Sequence, residues 1–314
     1  MVYATIASPL RLLHGLWMLR AKRPQLLHFN SFFTPHLTIL PLLLARVGFW
    51  GRPVLLVAPR GEFGEGALNR NWRKKRIYIA LFRVLKLHRS VLWHSTAPHE
   101  TDAIRELWGA NSKIIYREND TRLPSAALAP RGRESGVLRS AFLGRIVEHK
   151  GLHIILEALQ SSSVSLVLDI YGASEDMSYE QRCKEVAAKL PPNIAVSFLG
   201  VIEPEGVRDV LSDHDVLLMP TAGENFGHVI AEALSASCFV VTTPDTPWTT
   251  VLQKGAGIVV KRTPEDWREV IESLARSGTA RMHALRRAAG EGYERWAARP
   301  RAPHVWELAL DRTS

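Results

Sequence analysis

Cysteine is scarce in this 314-residue chain, with Cys183 and Cys238 its only two. That is too few for a disulfide framework or a zinc cluster, and it fits a reducing cytoplasm. Cys238 sits inside the apolar run ASCFVV and reads as a small buried hydrophobe. Long hydrophobic runs are also missing. LTILPLLLA and PVLLVA fall short of the ~18 apolar residues that a membrane span needs. The opening MVYATIASPLRLLHGLWMLRAKR has neither a charged start nor a small-residue cleavage site, so it does not read as a signal peptide. It reads as an amphipathic helix, with Leu12, Leu13, Leu16, Trp17 and Leu19 between basic flanks. The twelve histidines do not cluster at metal-ligand spacing, and His94, His99, His149 and His153 read as packing or surface residues. G-x-S-x-G, the P-loop and G-x-G-x-x-G are all absent.

Hydrophobic residues make up 46% and charged residues 23%, the balance of a packed protein, and the length suits two domains. The net charge of +9 favours anionic partners, whether nucleic acid, acidic lipid or phosphorylated small molecules, although solubility alone would also explain it. No nucleic-acid module accompanies the charge, so nucleic acid is not an expected partner.

Short β-branched runs alternate with amphipathic stretches. Strands are expected at Leu26–Phe29, Val54–Ala58, Ser90–His94, Lys113–Tyr116, Leu138–Leu143, Ser165–Tyr171, Ala195–Leu199, Val216–Pro220, Phe239–Thr242 and Gly257–Val260. Helices are expected at Trp72–Lys86, Pro98–Trp108, Leu152–Gln160, Tyr179–Lys189, Pro204–Ser212 and Gly227–Leu234. The alternation implies α/β units with parallel sheets covered on both faces. Residues 120–136, rich in Pro, Ala, Ser and Gly, read as a linker. The expected division is a shortened N-terminal domain with linker at 1–133, a complete doubly wound domain at 134–296, and a helical tail at 297–314 returning to the first domain.

Two motifs carry chemistry. GENFGHVIAEAL, Gly223–Leu234, follows the strand VLLMP and opens a helix. Backbone N–H groups at that opening suit a diphosphate, and Gly227 permits close backbone approach. Glu224 in the loop is placed to accept from sugar hydroxyls, and Glu232, two turns on, from ribose hydroxyls. Alternatively, both are ordinary helix-start and surface carboxylates. FLGRIVEHKGLHIILEAL, Phe142–Leu159, places Arg145 and Lys150 between a strand and a helix. Open α/β sheets bind ligands at that strand end, where two cations can neutralise a diphosphate.

GR…KG, Tyr171-Gly172, FLG at Phe198–Gly200 and the ENFG…E block, in that order, resemble the retaining glycosyltransferases of family four. APRGEFGEGALNRNWRKK (Ala58–Lys75), WHSTAPHETDAIRELW, the run ending ENDTRLP, and Thr246–Trp248 extend the likeness. The resemblance implies a GT-B fold of two Rossmann-like domains facing across a cleft. It also implies transfer of a hexose or similar sugar from a nucleotide-diphosphate sugar, with retention, to a glycan or lipid-diphosphate acceptor in surface polysaccharide or glycolipid synthesis. Carried over by residue, Arg145 and Lys150 match the cations on the diphosphate, and Glu224 matches the carboxylate on the transferred sugar. Glu232 matches the ribose carboxylate. Gly144 and Asn225, Phe226, Gly227, His228 and Val229 form the donor cradle, and Arg60 and Gly61 fall on the acceptor side. Two departures stand out: no glycine-rich loop opens the N-terminal domain, and Glu118-Asn119-Asp120 replaces an asparagine–glycine turn.

Asp213-His214-Asp215 spells D-x-D, but between a helix and a strand it reads as a helix end and strand start, so no metal or other cofactor is expected. Residues 70–89 are strongly basic, with Ile77, Leu81, Val84, Leu85 and His88 at helical spacing. They form either a core-facing helix with a solvated back or a contact for anionic membrane, which would make the protein peripheral on the inner face of the cell membrane. The rivals to transfer are an epimerase or phosphorylase on the same fold, a non-catalytic binder of nucleotide sugars, and an enzyme whose missing N-terminal element comes from a partner chain.

Overall fold

The computed structural model of the chain describes residues 9–64, 68, 71–132 and 136–312. Parts of the stretches read above lie outside them: residues 1–8, 65–67, 69–70 and 133–135, and the side chains of Leu12 and Leu13. The chain divides into two compact units, residues 1–119 with 301–314, and residues 120–300.

The first unit holds a parallel sheet of four strands in chain order: β1 (Leu26–Phe29), β2 (Val54–Val57), β3 (Leu92–Ser95) and β4 (Ile114–Tyr116). Helix α1 (Pro9–Lys22) precedes β1, and α2 (Ile39–Arg46), α3 (Trp72–Val84) and α4 (Pro98–Trp108) are its crossovers. In α1 Leu16 is buried and Trp17 exposed. An aromatic core of Phe32, Phe63, Phe82, Trp93 and Trp108 fills one side.

The second unit holds six parallel strands: β5 (Leu138–Leu143), β6 (Leu166–Tyr171), β7 (Ile194–Gly200), β8 (Val216–Met219), β9 (Phe239–Thr242) and β10 (Gly257–Val259). Their order is β10-β9-β8-β5-β6-β7, a doubly wound sheet. From β5 the chain winds outward to β7, returns to β8 beside β5, and winds outward the other way. The switch point therefore falls between β5 and β8, where such sheets bind ligands at the strand carboxyl ends. Strands β8 and β9 are buried throughout, as a sheet covered on both faces requires. The covering helices are α5 (Leu152–Leu159), α6 (Met177–Ala187), α7 (Val207–Ser212), α8 (His228–Ser235), α9 (Pro264–Ala275) and α10 (Thr279–Ala297).

The described part of the stretch read as a linker is pinned to the second unit, which moves the division from 133 back to 119. Its backbone is claimed by that unit. The Leu128 amide donates to the Ser235 carbonyl at 2.8 Å, and the Leu128 carbonyl accepts from Ser237 Oγ at 2.6 Å. Tyr293 Oη donates to the Pro124 carbonyl at 2.7 Å, and Arg208 to that of Ala126 at 2.6 Å. The terminal helix α11 (Val305–Asp311) packs Val305 and Ala309 on Leu56, Leu92 and Ile115 of the first sheet.

Candidate functional site

The loop after β5 and the loop after β8 meet at the switch point because glycines let the backbones close on each other. Gly151 has φ +77°, and a Cβ there would lie 2.2 Å from the Pro220 carbonyl oxygen. Gly172, at the end of β6, abuts the β5 loop so closely that a Cβ would lie 1.8 Å from the Gly144 oxygen. Backbone bonds complete the frame. The Ala222 amide donates to the His149 carbonyl at 2.7 Å, and the Glu224 amide to that of Asp245 at 3.0 Å. This frame brings Lys150 Nζ into an ion pair with Glu224 Oε1, residues 74 apart in sequence, with side chains only 13% and 12% exposed.

Helix α8 begins at Gly227 with no capping side chain, so its start presents the positive end of the helix. Trp248 Nε1 donates to the Phe226 carbonyl at 2.6 Å, and its buried ring sits edge-on to Phe226, fixing the backbone that leads into α8. Phe226 and Gly227 are buried, Asn225 and Val229 partly so, and His228 is exposed. Glu232, further along α8, is half-buried, and desolvation raises its carboxyl above the usual value.

Of the four charged residues expected to converge, the structure joins Lys150 and Glu224 directly. Arg145 pairs instead with Glu175 on the loop after β6, at 2.8 Å, and both side chains are well exposed. It remains in the neighbourhood: desolvation, then the charges of Lys150 and Arg145, hold the His149 imidazole below its usual value, while Glu224 opposes them. Arg262, which sequence reading passed over, ties the frame from behind, donating to the Pro220 carbonyl at 2.9 Å and the Glu148 carbonyl at 3.0 Å. Its signal was a cation just beyond an expected strand, as with Arg145 after β5. Trp248 enters the sequence reading only through the family resemblance of Thr246–Trp248.

The D-x-D side chains turn to three separate partners. Asp213 pairs with Arg131, His214 Nε2 meets Asp169 Oδ2 at 3.1 Å, and Asp215 Oδ2 accepts from the Arg139 amide at 3.0 Å. They lie at the amino end of β8, away from the switch-point loops.

The first unit has its own cluster at the strand carboxyl ends. Arg60 sits at φ +54° and donates to Asn30 Oδ1 at 2.8 Å and to Asn119 Oδ1. The Gly61 amide donates to Glu100 Oε1 at 2.7 Å. Glu100, only 2% exposed, also accepts from the Thr96 amide at 2.6 Å and Thr96 Oγ1 at 2.8 Å. Glu62 accepts from Ser31 Oγ at 2.8 Å and from the Phe33 amide at 3.2 Å. Sequence reading did not single out these two carboxylates; Glu62's partners Ser31 and Phe33 and Glu100's partner Gly61 lie on loops distant in sequence. Asn119, in the departure from the asparagine–glycine turn, serves as an acceptor for Arg60.

Comparison with known proteins bears on both units. The family model described as glycosyl transferases group 1 matches residues 130–291. A D-inositol 3-phosphate glycosyltransferase of Rhodococcus erythropolis is 26% identical over 200 residues, 57% of this chain and 45% of the relative. The matched part thus spans less than half of that curated relative. Among solved structures, Anabaena HepE in complex with UDP and glucose superposes with a TM-score of 0.73 at 14% identity, covering 99% of this chain and 84% of that one. Sucrose-phosphate synthase of Thermosynechococcus elongatus superposes at 0.69 and 14% identity, covering 96% and 76%.

Proposed function

The chain belongs to the glycosyl transferases group 1 family and has the GT-B fold, and from that premise we propose that it transfers a sugar from a nucleotide-diphosphate sugar to a glycan or lipid-linked acceptor in polysaccharide or glycoconjugate synthesis. The observation that carries this reading is the Lys150–Glu224 pair at the switch point, beside the uncapped start of α8. A diphosphate seated there meets a cation and a helix dipole of matching sign, and the sugar reaches a carboxylate that accepts from its hydroxyls.

The leaving group is a nucleoside diphosphate, so charge develops on phosphate oxygens as the bond from C1 of the sugar breaks. Lys150, Arg145 released from Glu175, and the α8 start stabilise that charge. The acceptor oxygen forms its bond to C1 on the same face, its proton passing to the departing phosphate, which retains the anomeric configuration. Glu232 receives the ribose, and Arg60 and Gly61 lie on the acceptor side. A lipid-linked acceptor places the reaction at the cytoplasmic face of the cell membrane.

A reading in which a partner chain completes the first unit has one observation in its favour: among the described residues β1 is an edge strand, paired only with β2. Pull-down with the full chain recovers a stoichiometric partner on that reading and none otherwise.

Thermal-shift screening against UDP-, GDP-, ADP- and dTDP-sugars tests the donor site. A donor at a hundred times its dissociation constant stabilises by about 2.7 kcal/mol. Product analysis of the stabilising donor then shows free nucleoside diphosphate and a glycosylated acceptor. No shift with any donor would sink the reading.

A further inference from the structure

Helix α3 carries two apolar faces, and the core needs only one. Tyr78 and Phe82 point inward: Phe82 is fully buried, and both rings pack on Phe32 at centroid distances of 4.9 and 4.8 Å. Tyr78 Oη donates to the Phe32 carbonyl at 2.5 Å. Ile77, Leu81 and Val84, whose spacing fits either a core-facing helix or a membrane contact, are on the outside, 71%, 45% and 78% exposed. Their spacing puts them in one line along the helix. Trp72, 47% exposed, stands at its amino end with Arg73 and Arg76 over its ring at 5.7 and 5.2 Å. Lys74 is exposed beside them.

The charge around this line has one sign. Residues 70–89 hold eight Lys and Arg and no Asp or Glu. The asymmetry extends to the whole unit. Residues 1–119 with 301–314 carry 20 Lys and Arg against 8 Asp and Glu, a net +12, whereas residues 120–300 carry 20 against 23, a net −3.

We propose that the outer face of α3 docks the first unit on an anionic lipid surface, with Ile77, Leu81 and Val84 entering the headgroup boundary and Arg73, Lys74 and Arg76 meeting lipid phosphates. An exposed apolar line flanked by cations matches that surface on both counts. A second copy of the chain matches it poorly, since pairing would bring two strongly positive units together. Nucleic acid would meet the cations but leave the aliphatic line without a partner, because these side chains neither stack on bases nor hydrogen-bond to them. The inference does not depend on which sugar is moved.

Co-sedimentation of the full chain with phosphatidylcholine vesicles, with and without phosphatidylglycerol, is the test. The chain binds the anionic vesicles, and added salt weakens binding because the phosphate contacts are screened. Ile77→Ser with Leu81→Ser and Val84→Ser weakens binding on the order of tenfold or more, since these side chains no longer bury apolar surface. Arg73→Glu with Lys74→Glu and Arg76→Glu abolishes it. All six positions are exposed, and unchanged thermal unfolding with an unchanged donor shift checks that each variant is folded and keeps its donor site. Three outcomes overturn the proposal: no binding by the wild-type chain, full binding by the folded serine variant, or a wild-type dimer on size exclusion that the serine variant loses. Preferential binding of a polynucleotide competitor counts against it as well. A donor shift without vesicle binding would leave the transferase reading standing and remove only this one.

Discussion

At the scale of single residues, Lys150 and Glu224 each solve the other's problem. Both side chains are largely out of water, and a charge withdrawn from solvent is costly unless it is paired. Each neutralises the other; on the proposed function, a diphosphate takes Lys150 as its partner and leaves Glu224 to the sugar hydroxyls. The consequence is coupling. Lys150→Gln and Glu224→Gln each strand the other charge, so each destabilises the second unit by about 3–5 kcal/mol at most, and the double variant loses less than the sum. Denaturant unfolding of the three variants measures this. Effects that add to within about 0.5 kcal/mol would show the two residues to be independent. In turnover, either single change costs on the order of 10²-fold in kcat, the size seen when one charge-stabilising donor is removed. Arg145 differs, because it is held by the exposed Glu175 and has only a surface pair to break before reaching a phosphate.

At the scale of elements, the site depends on backbones that touch. Gly151→Ala would drive a Cβ into the Pro220 carbonyl from a left-handed backbone, forcing apart the two loops that hold Lys150 and Glu224. Donor affinity should fall at least tenfold, read by thermal shift, while Gly132→Ala, with open space around its Cβ position, leaves it unchanged. The elements were largely legible in the sequence. All ten strands stand within two residues of where β-branched runs placed them, and the reason is plainest for β8 and β9, which are buried on both faces and so apolar nearly throughout. Helices α9 and α10 went unread, although α9 opens on a cap: Thr263 accepts from the Asp266 amide, with Pro264 in the first turn. The linker was misread for a different reason. A stretch of Pro, Ala and Ser has no periodicity of its own, and its order comes from partners such as Ser235 and Tyr293, more than 100 residues away. Within the candidate site, the nearness of Lys150 and Glu224 followed from strand ends and a helix start. Arg145's partner and the roles of Arg262 and Glu100 did not, since each depends on which loop folds beside which.

At the scale of the whole molecule, helix α11 closes on the first sheet through a histidine. Trp306 Nε1 donates to His28 Nδ1 at 3.0 Å, so the His28 ring must keep that nitrogen unprotonated to hold α11. His94 lies 5.7 Å away, centroid to centroid, with Nε2 against the Arg117 carbonyl at 2.9 Å. Burial first, then neighbouring positive charge, lowers His28 to about 3; burial, opposed by the hydrogen bond to Arg117, lowers His94 to about 4. Unfolded, both would titrate near the ordinary value of about 6.5. Between those limits the unfolded chain binds protons that the folded chain refuses, so stability rises with pH there and is lost on acidification. Above about 6.5 neither state is protonated at these rings and the contribution is complete. The melting temperature of the first unit, followed by tryptophan fluorescence, should therefore fall as pH drops from about 6.5 toward 4. His28→Gln with His94→Gln should flatten that slope, because an amide does not titrate. A slope unchanged in the double variant would mean that the acid sensitivity resides elsewhere and that the α11 clasp is indifferent to protonation.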